Sequence, residues 1–325
     1  MTFRFRIGRW YLLGCQAIAD RLAAVRSGLP RTVIRFGGGL GDHLLMSAVA
    51  RELCQRDQGP VWILSNHPEL FTANPDVRAI FPEHPDHSHR GERLGANYHL
   101  VTYTHPDPAD PDLIIAPPRP AIAEMCRLAG ITGPVRMRPW FHFTKAEGEV
   151  QSPEPLREFV TIQSAAGSPS RPKANKEWPH GRFQELADHL SSRGQQLVQL
   201  GSPADPLLPG VRDLRGRTDI RQTARLLADA SFHIGPEGFL MHLARAVETR
   251  SVIVYGGRIL PSEIGYPCNE NLSVTPPCSP CWRSNQCDFD RICLKQITVE
   301  MALEAVDRLK GRLDQPLETD TCILP

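Results

Sequence analysis

Thr32-Val33-Ile34-Arg35-Phe36, then Gly37-Gly38-Gly39-Leu40-Gly41-Asp42, then a periodic run from His43 to Arg56: this stretch decides the fold. The first five residues are mostly β-branched or aromatic and read as a short strand. The glycines mark a turn, and Leu45, Ala48, Val49, Leu53 and Cys54 fall on one side of a helix that follows it. Strand, glycine turn, helix is how an α/β nucleotide-type domain begins. The turn is not a P-loop, because no Gly-Lys-Ser/Thr follows. Nor is it the dinucleotide fingerprint. With Gly37 and Gly39 in place, the third glycine would fall on Asp42, and the strand Val61–Ser65 ends in Ser65-Asn66 without the ribose-binding acid. What the turn delivers is one carboxylate, Asp42, at a helix N-terminus. A helix cap and a reactive acid both suit it at this point.

The alternation continues outward from this unit. Val61–Ser65, Val77–Phe81, His99–Thr102, Asp112–Ala116 and Val135–Phe143 read as strands, and Ala121–Ala129 as a helix. The polar segment Lys145–Glu158, with two prolines, reads as an interdomain linker. A second series follows, with strands at Phe159–Gln163, Gln196–Gly201, Phe232–Gly235 and Ser251–Gly256. Helices at Gly181–Arg193, Asp219–Ala230 and Glu237–Val247 lie between them, and Val299–Leu309 closes the series. Short connections between strictly alternating strands and helices imply parallel sheets covered on both faces. The expected architecture is α/β: two facing Rossmann-like domains, 32–150 and 151–325, with a cleft between them.

At 325 residues the chain has room for two domains, and 41% hydrophobic with 22% charged residues is a globular composition. A formal charge of +1 gives no global field for nucleic acid, and no run of 18 apolar residues is present to span a membrane. Residues 1–31 stand apart. Within the first 28, five arginines (Arg4, Arg6, Arg9, Arg21, Arg26) face one acid, Asp20, while Trp10, Ala17, Ile18, Leu22 and Val25 recur at helical spacing. Leu12-Leu13-Gly14-Cys15 mimics a lipoprotein box, but Arg9 leaves an apolar core too short for a signal. Two readings stay open: an amphipathic helix on an anionic membrane surface, or one docked on the protein's own body. Nine cysteines without a secretory leader point to a reducing, cytoplasmic setting, peripheral on the inner membrane if the helix binds there.

Three further regions carry chemistry. Lys176-Glu177-Trp178-Pro179 precedes a helix and follows a loop with Ser164, Gly167, Ser168 and Ser170, which suits phosphate or a merely solvated lysine. Gly235-Pro236-Glu237-Gly238 ends a strand at a helix start, where α/β sheets bind ligands. Glu237 there suits a sugar hydroxyl or the helix dipole equally. Cys278-x2-Cys281-x5-Cys287-x5-Cys293, in the cysteine-rich loop 268–293, could close a tetrahedral Zn or Fe site with a structural role, or hold free or paired thiols.

In order along the chain these elements resemble glycosyltransferase family 9, the heptosyltransferases of lipopolysaccharide core assembly. The resemblance rests on Gly41-Asp42 after the first strand, Lys176-x-Trp178-Pro179 before a helix, Gly201-Ser202-Pro203 after the next strand, Leu214-x-Gly216-x-Thr218, and Glu237-Gly238 with His242-Leu243-Ala244. It runs from about Thr32 to Leu309. It implies a GT-B fold and an inverting transfer of a sugar, heptose from ADP-heptose, to a hydroxyl of a glycan or glycolipid such as lipopolysaccharide core, without a catalytic metal. Asp42 would be the general base, with Gly39 and Gly41 in the acceptor-side loop. Ser164, Lys176, Gly201, Ser202, Thr218, Glu237, Gly238 and His242 would hold the nucleotide-sugar donor. Some relatives carry a similar four-cysteine loop. The sequence departs from the family's Asp-Ser/Thr-Gly at Glu237-Gly238-Phe239, which bears on the donor's identity. A sugar-nucleotide epimerase and a non-catalytic nucleotide-sugar-binding protein are the alternatives.

Overall fold

In a computed structural model, residues 28–83, 95–149, 158–167 and 170–325 are described. The basic N-terminal segment and most of the expected linker lie outside them. The strand–turn–helix unit forms as β1 (Thr32–Arg35) and α1 (Leu40–Cys54). With β2 (Val61–Leu64), β3 (Val77–Phe81) and β4 (Asn97–Leu100), β1 builds a parallel sheet in the order β3-β2-β1-β4. Ile34 stands between Ile63 and His99 in that sheet. Helix α1 is not the one-sided amphipathic helix the periodicity suggests. His43 to Ala50 are all buried, because the helix is wedged between its own sheet and a helix of the second half.

A two-residue ladder, β5 (His105–Pro106) with β6 (Ile114–Ile115), replaces the expected strand at 112–116. Pro117 and Pro118, lacking amide hydrogens, end it. After α2 (Ala121–Leu128), the expected strand 135–143 is only β7 (Gly133–Arg136). It leaves the parallel sheet and pairs antiparallel with the C-terminal strand, a partner 185 positions on that no local pattern announces. Helix α3 (Lys145–Glu149) occupies the start of the expected linker.

The second half is built on β8 (Phe159–Ile162), α4 (His180–Ser192), β9 (Gln196–Gln199), β10 (Arg212–Asp213), α5 (Ile220–Asp229), β11 (His233–Pro236), α6 (Phe239–Ala246) and β12 (Ser251–Val254). Then come α7 (Pro261–Ile264), β13 (Glu270–Leu272), α8 (Ile292–Lys295), α9 (Val299–Lys310) and β14 (Thr321–Leu324). Six strands form one parallel sheet, β10-β9-β8-β11-β12-β13. Asp219 starts α5 by accepting the Gln222 amide at 2.7 Å while the Gln222 side chain returns to Asp219, a reciprocal cap. Helix α6 begins at Phe239 rather than Glu237, because Gly238 is still extended, so Glu237 sits on the turn leaving β11. The short edge strands β10 and β13 carry too few residues to show a period in sequence.

One apolar core runs across both halves, joining Leu44, Leu45 and Val49 of α1 to Leu240, Met241 and Leu243 of α6. A second fills the far face of the large sheet around Trp178, Phe183 and Val306. Gly41 makes the α1–α6 junction close: a Cβ there would stand 3.0 Å from the His242 ring.

Candidate active site

Parallel strands bring their carboxyl ends to one edge, and the loops leaving β1 and β11 face each other there. On the first wall, Asp42 lies in the first turn of α1. Its Oδ2 accepts the Gly39 amide at 2.9 Å, so it does cap the helix, and its Oδ1 accepts the Tyr103 hydroxyl at 2.6 Å. Burial, with the charge of Asp42 beside it, pushes the Tyr103 phenol well above its ordinary range, so it stays a proton donor. The carboxylate is thus aimed from two sides.

On the second wall, Lys176 and Glu237 form a buried ion pair. Burial alone would raise the Glu237 carboxyl, but the charges of Lys176 and Arg258 outweigh it and hold Glu237 below its usual range. The neighbours of Lys176 explain its placement. Trp178 is buried, donates its indole N–H to the Ile297 carbonyl at 2.9 Å and meets Phe183 edge to face. Glu177 accepts the amides of Ala166 and Gly167, fixing the loop after β8. Asn175 reaches the carbonyls of Arg283 and Gln286 in the cysteine-rich loop. His242, one turn into α6, bonds the Tyr266 hydroxyl through Nδ1 at 2.6 Å.

Between these walls lies a cleft of about 590 Å³, bordered by Gly39, Gly41, Asp42 and Tyr103 on one side and Lys176, Glu237, Gly238 and His242 on the other. The structure therefore brings together Asp42, its two glycines and the Lys176–Glu237–His242 group. It places the other expected donor contacts elsewhere. Ser164 is buried with its hydroxyl on the Pro206 carbonyl. The Ser202 amide bonds Asp205 beside Gly201, and Thr218 bonds Thr223. None of these four lines the cleft.

Three residues that sequence reading missed do line it: Tyr103, Lys173 and Arg258. Arg258, on the loop after β12, is 8% exposed, and its Nε is buried without a hydrogen-bond partner. Burial first, then the charges of Arg258 and Lys176, lower the pKa of Lys173. Arg258, Lys173 and Lys176 together outnumber Asp42 and Glu237. Such crowded, partly desolvated cations favour a polyanionic ligand. An apolar cavity of about 460 Å³ behind α7 brings together no comparable charged group and does not rival the cleft.

Two imidazoles give the protein an acid limit. Burial depresses His242 from the ordinary 6.5 to about 4 and His233 to about 3. As pH falls from 6.5 toward 4, the unfolded chain binds protons that the folded chain refuses, so stability drops through that window and is fully present above it. Denaturant midpoints should fall between pH 7 and pH 4.5, and His233→Gln should flatten the slope. Equal midpoints at the two pH values would mean these rings are not neutral and buried.

Cys278, Cys281, Cys287 and Cys293 line one cavity of about 180 Å³, whose wall includes Arg258 and Asn175. All four thiols are reduced, and Cys268 is buried apart from them. Among the described residues no group of three or more His, Cys, Asp or Glu side chains is gathered into a closed metal-ligand set. The loop braces the cleft from both halves. It takes Asp110 of the first half in an ion pair with Arg283, and the Asp112 carboxylate accepts the amides of Asn285 and Gln286. On the other side, the Cys281 amide bonds the Gly257 carbonyl and Lys173 bonds Ser284.

Residues 143–289 match the family model of glycosyltransferase family 9 (heptosyltransferase). Lipopolysaccharide heptosyltransferase 2 of Salmonella typhimurium is 32% identical over 94 residues, 25% of this chain and 27% of that protein. Lipooligosaccharide heptosyltransferase 2 of Haemophilus influenzae is 28% identical over the same length, 25% of this chain and 27% of its own. The chain thus spans about a quarter of these curated relatives. Among solved structures, the dodecameric iron-containing heptosyltransferase TibC in complex with ADP-D-beta-D-heptose superposes with a TM-score of 0.66 at 18% identity. That match covers 88% of this chain and 77% of that one; TibC is from enterotoxigenic E. coli. The E. coli ADP-heptose lps heptosyltransferase II gives 0.60 at 18% identity, covering 87% and 99%. Residues 143–289 thus resemble glycosyltransferase family 9, the heptosyltransferases, and the architecture is the GT-B fold of two Rossmann-like halves.

Proposed function

We propose that this protein is an inverting glycosyltransferase that moves a sugar from a nucleoside-diphosphate donor to a hydroxyl of a bacterial glycan. The observation that carries the reading is the cleft itself, with one aimed carboxylate on the first wall and a cluster of partly buried cations facing it. The acceptor hydroxyl loses its proton to Asp42 as its oxygen bonds the anomeric carbon, and the bond from that carbon to the diphosphate breaks. Lys176, Lys173 and Arg258 take up the charge that gathers on the leaving diphosphate. Tyr103 keeps Asp42 pointed at the incoming hydroxyl, and Glu237, beside Lys176, is placed to accept a hydroxyl of the donor. No catalytic metal is needed in this scheme, since fixed cations do its electrostatic work.

The relatives' names favour heptose as the sugar, ADP as the nucleotide and a lipopolysaccharide core as the acceptor. The extra length of Glu237 and the Phe239 ring leave room for a different donor. Incubation of the purified protein with ADP- and UDP-sugars and a glycan acceptor tests the assignment. Transfer or slow donor hydrolysis supports it. Epimer formation would assign the fold to an epimerase, and binding without turnover to a binding protein. The basic N-terminal segment would hold the enzyme against an anionic membrane where a lipid-linked acceptor is presented.

Four thiolates around one cavity are a donor set suited to Zn or Fe, and we assign the loop a structural metal that draws them together. The loop already ties residues 110–114 to Lys173, Asn175 and Arg258, so the metal would stiffen the cleft's charged wall rather than take part in transfer. Metal analysis of protein purified without metal resin should find close to one ion per chain. Cys278→Ser should lower both metal content and melting temperature. Metal-free protein that melts unchanged would remove the assignment.

A further inference from the structure

The ribbon of β7 and β14 has two unlike faces. Arg136 pairs with Thr321 in register, and the Met137 amide bonds the Asp320 carbonyl. With a period of two, Arg136 and Arg138 share one face with Thr319 and Thr321, while Met137, Asp320 and Cys322 turn to the other. The second face closes the apolar cavity behind α7. The first borders a separate cavity of about 320 Å³, lined by Arg136, Arg138, Thr319 and Thr321.

Positive charge is concentrated there beyond what the protein neutralises. Arg138 is buried, lies 3.9 Å over the Trp140 ring and pairs at 2.7 Å with Glu248, a carboxylate that is itself 61% exposed. Arg245, near the end of α6, is 1% exposed and bonds the Thr319 hydroxyl through Nη2. Its Nε and Nη1 are buried with no hydrogen-bond partner, and no carboxylate pairs with it among the described residues. Arg138 lies within electrostatic reach of it. A buried guanidinium with unmet donors is costly unless an anion approaches. Glu318 and Asp320 are exposed and form no ion pair with these arginines among the described residues.

We infer that this pocket is an anion site, separate from the catalytic cleft, for a phosphoryl group held by Arg136, Arg138 and the two threonine hydroxyls, with Arg245 behind Thr319. Guanidinium forks and hydroxyls are the donors that tetrahedral oxyanions take. The site joins a strand of the first half, the end of α6 and the C-terminal segment, and shares no lining residue with the cleft.

The test uses the full chain and inorganic phosphate, followed by calorimetry and phosphorus NMR. The double variant Lys176→Ala with Glu237→Gln, which removes one of the three cleft cations without stranding Glu237, should still bind phosphate saturably. Arg136→Gln, an exposed change that leaves melting unaltered, should weaken that binding about tenfold or more, as expected for a lost charge-assisted contact; Thr321→Val should weaken it as well. Sedimentation with phosphatidylglycerol vesicles separates the sources. Vesicle binding that Arg136→Gln reduces names a lipid headgroup, and phosphate binding without it names a soluble phosphate compound. If the double variant melts normally yet no longer binds phosphate, or Arg136→Gln and Thr321→Val bind as tightly as the unaltered chain, the pocket is not an anion site.

Discussion

Asp42→Asn is expected to lower turnover by roughly 10²–10⁴-fold while donor affinity and melting stay close to those of the unaltered chain. The size follows from chemistry: a hydroxyl is a weak nucleophile until its proton is removed, and an amide cannot accept that proton. The specificity follows from geometry. The asparagine oxygen can still accept the Gly39 amide at the start of α1, and its NH2 can meet the Tyr103 oxygen, so cap and packing survive. Steady-state kinetics with the natural acceptor, beside a thermal melt, separates the two roles of this carboxylate. A variant that keeps most of its turnover would leave Asp42 as a helix cap alone and place the base elsewhere.

Lys176→Ala should act differently, weakening donor binding as well as slowing transfer, with a combined loss in kcat/KM of roughly 10²–10³-fold. It should also destabilise the fold. Removing Lys176 leaves Glu237, 3% exposed, beside Arg258 alone, and stranding a buried carboxylate costs up to about 3–5 kcal/mol. The double variant Lys176→Ala with Glu237→Gln removes the stranded charge, so its melting temperature should recover while its turnover does not. Recovery of both would make the pair a structural feature with no part in donor handling.

Much of the architecture was legible because it is local. The β-branched run 32–36 and its glycine turn produce β1 and the entry to α1, and the alternation after Phe159 produces the large parallel sheet. Lys176, Glu237 and His242 were legible for the same reason, each lying at the end of a recognisable strand or the start of a helix. Tyr103 was not. It reaches Asp42 across 61 residues of chain, from an irregular segment after β4, and a lone tyrosine on a loop carries no pattern. Arg258 gave no sign either, since its role depends on burial and on a missing partner, and neither has a period. Ser164, Ser202 and Thr218, also expected at the donor, do not line the cleft. Small hydroxyl residues near a glycine turn suit phosphate, but here their groups satisfy local backbone and side-chain partners. Strand β7 was over-extended to residue 143 because its true partner, β14, comes from the other end of the chain.

In the proposed transfer, Asp42 activates a hydroxyl that displaces a diphosphate held on the opposite wall, a single displacement that inverts the anomeric centre. Proton NMR of the new glycosidic linkage, recorded on the first product formed from a donor of known anomeric configuration, tests this most directly. The expected product has the opposite configuration, with nucleoside diphosphate released in equal amount. Retained configuration, or a changed sugar still attached to its nucleotide, would contradict it.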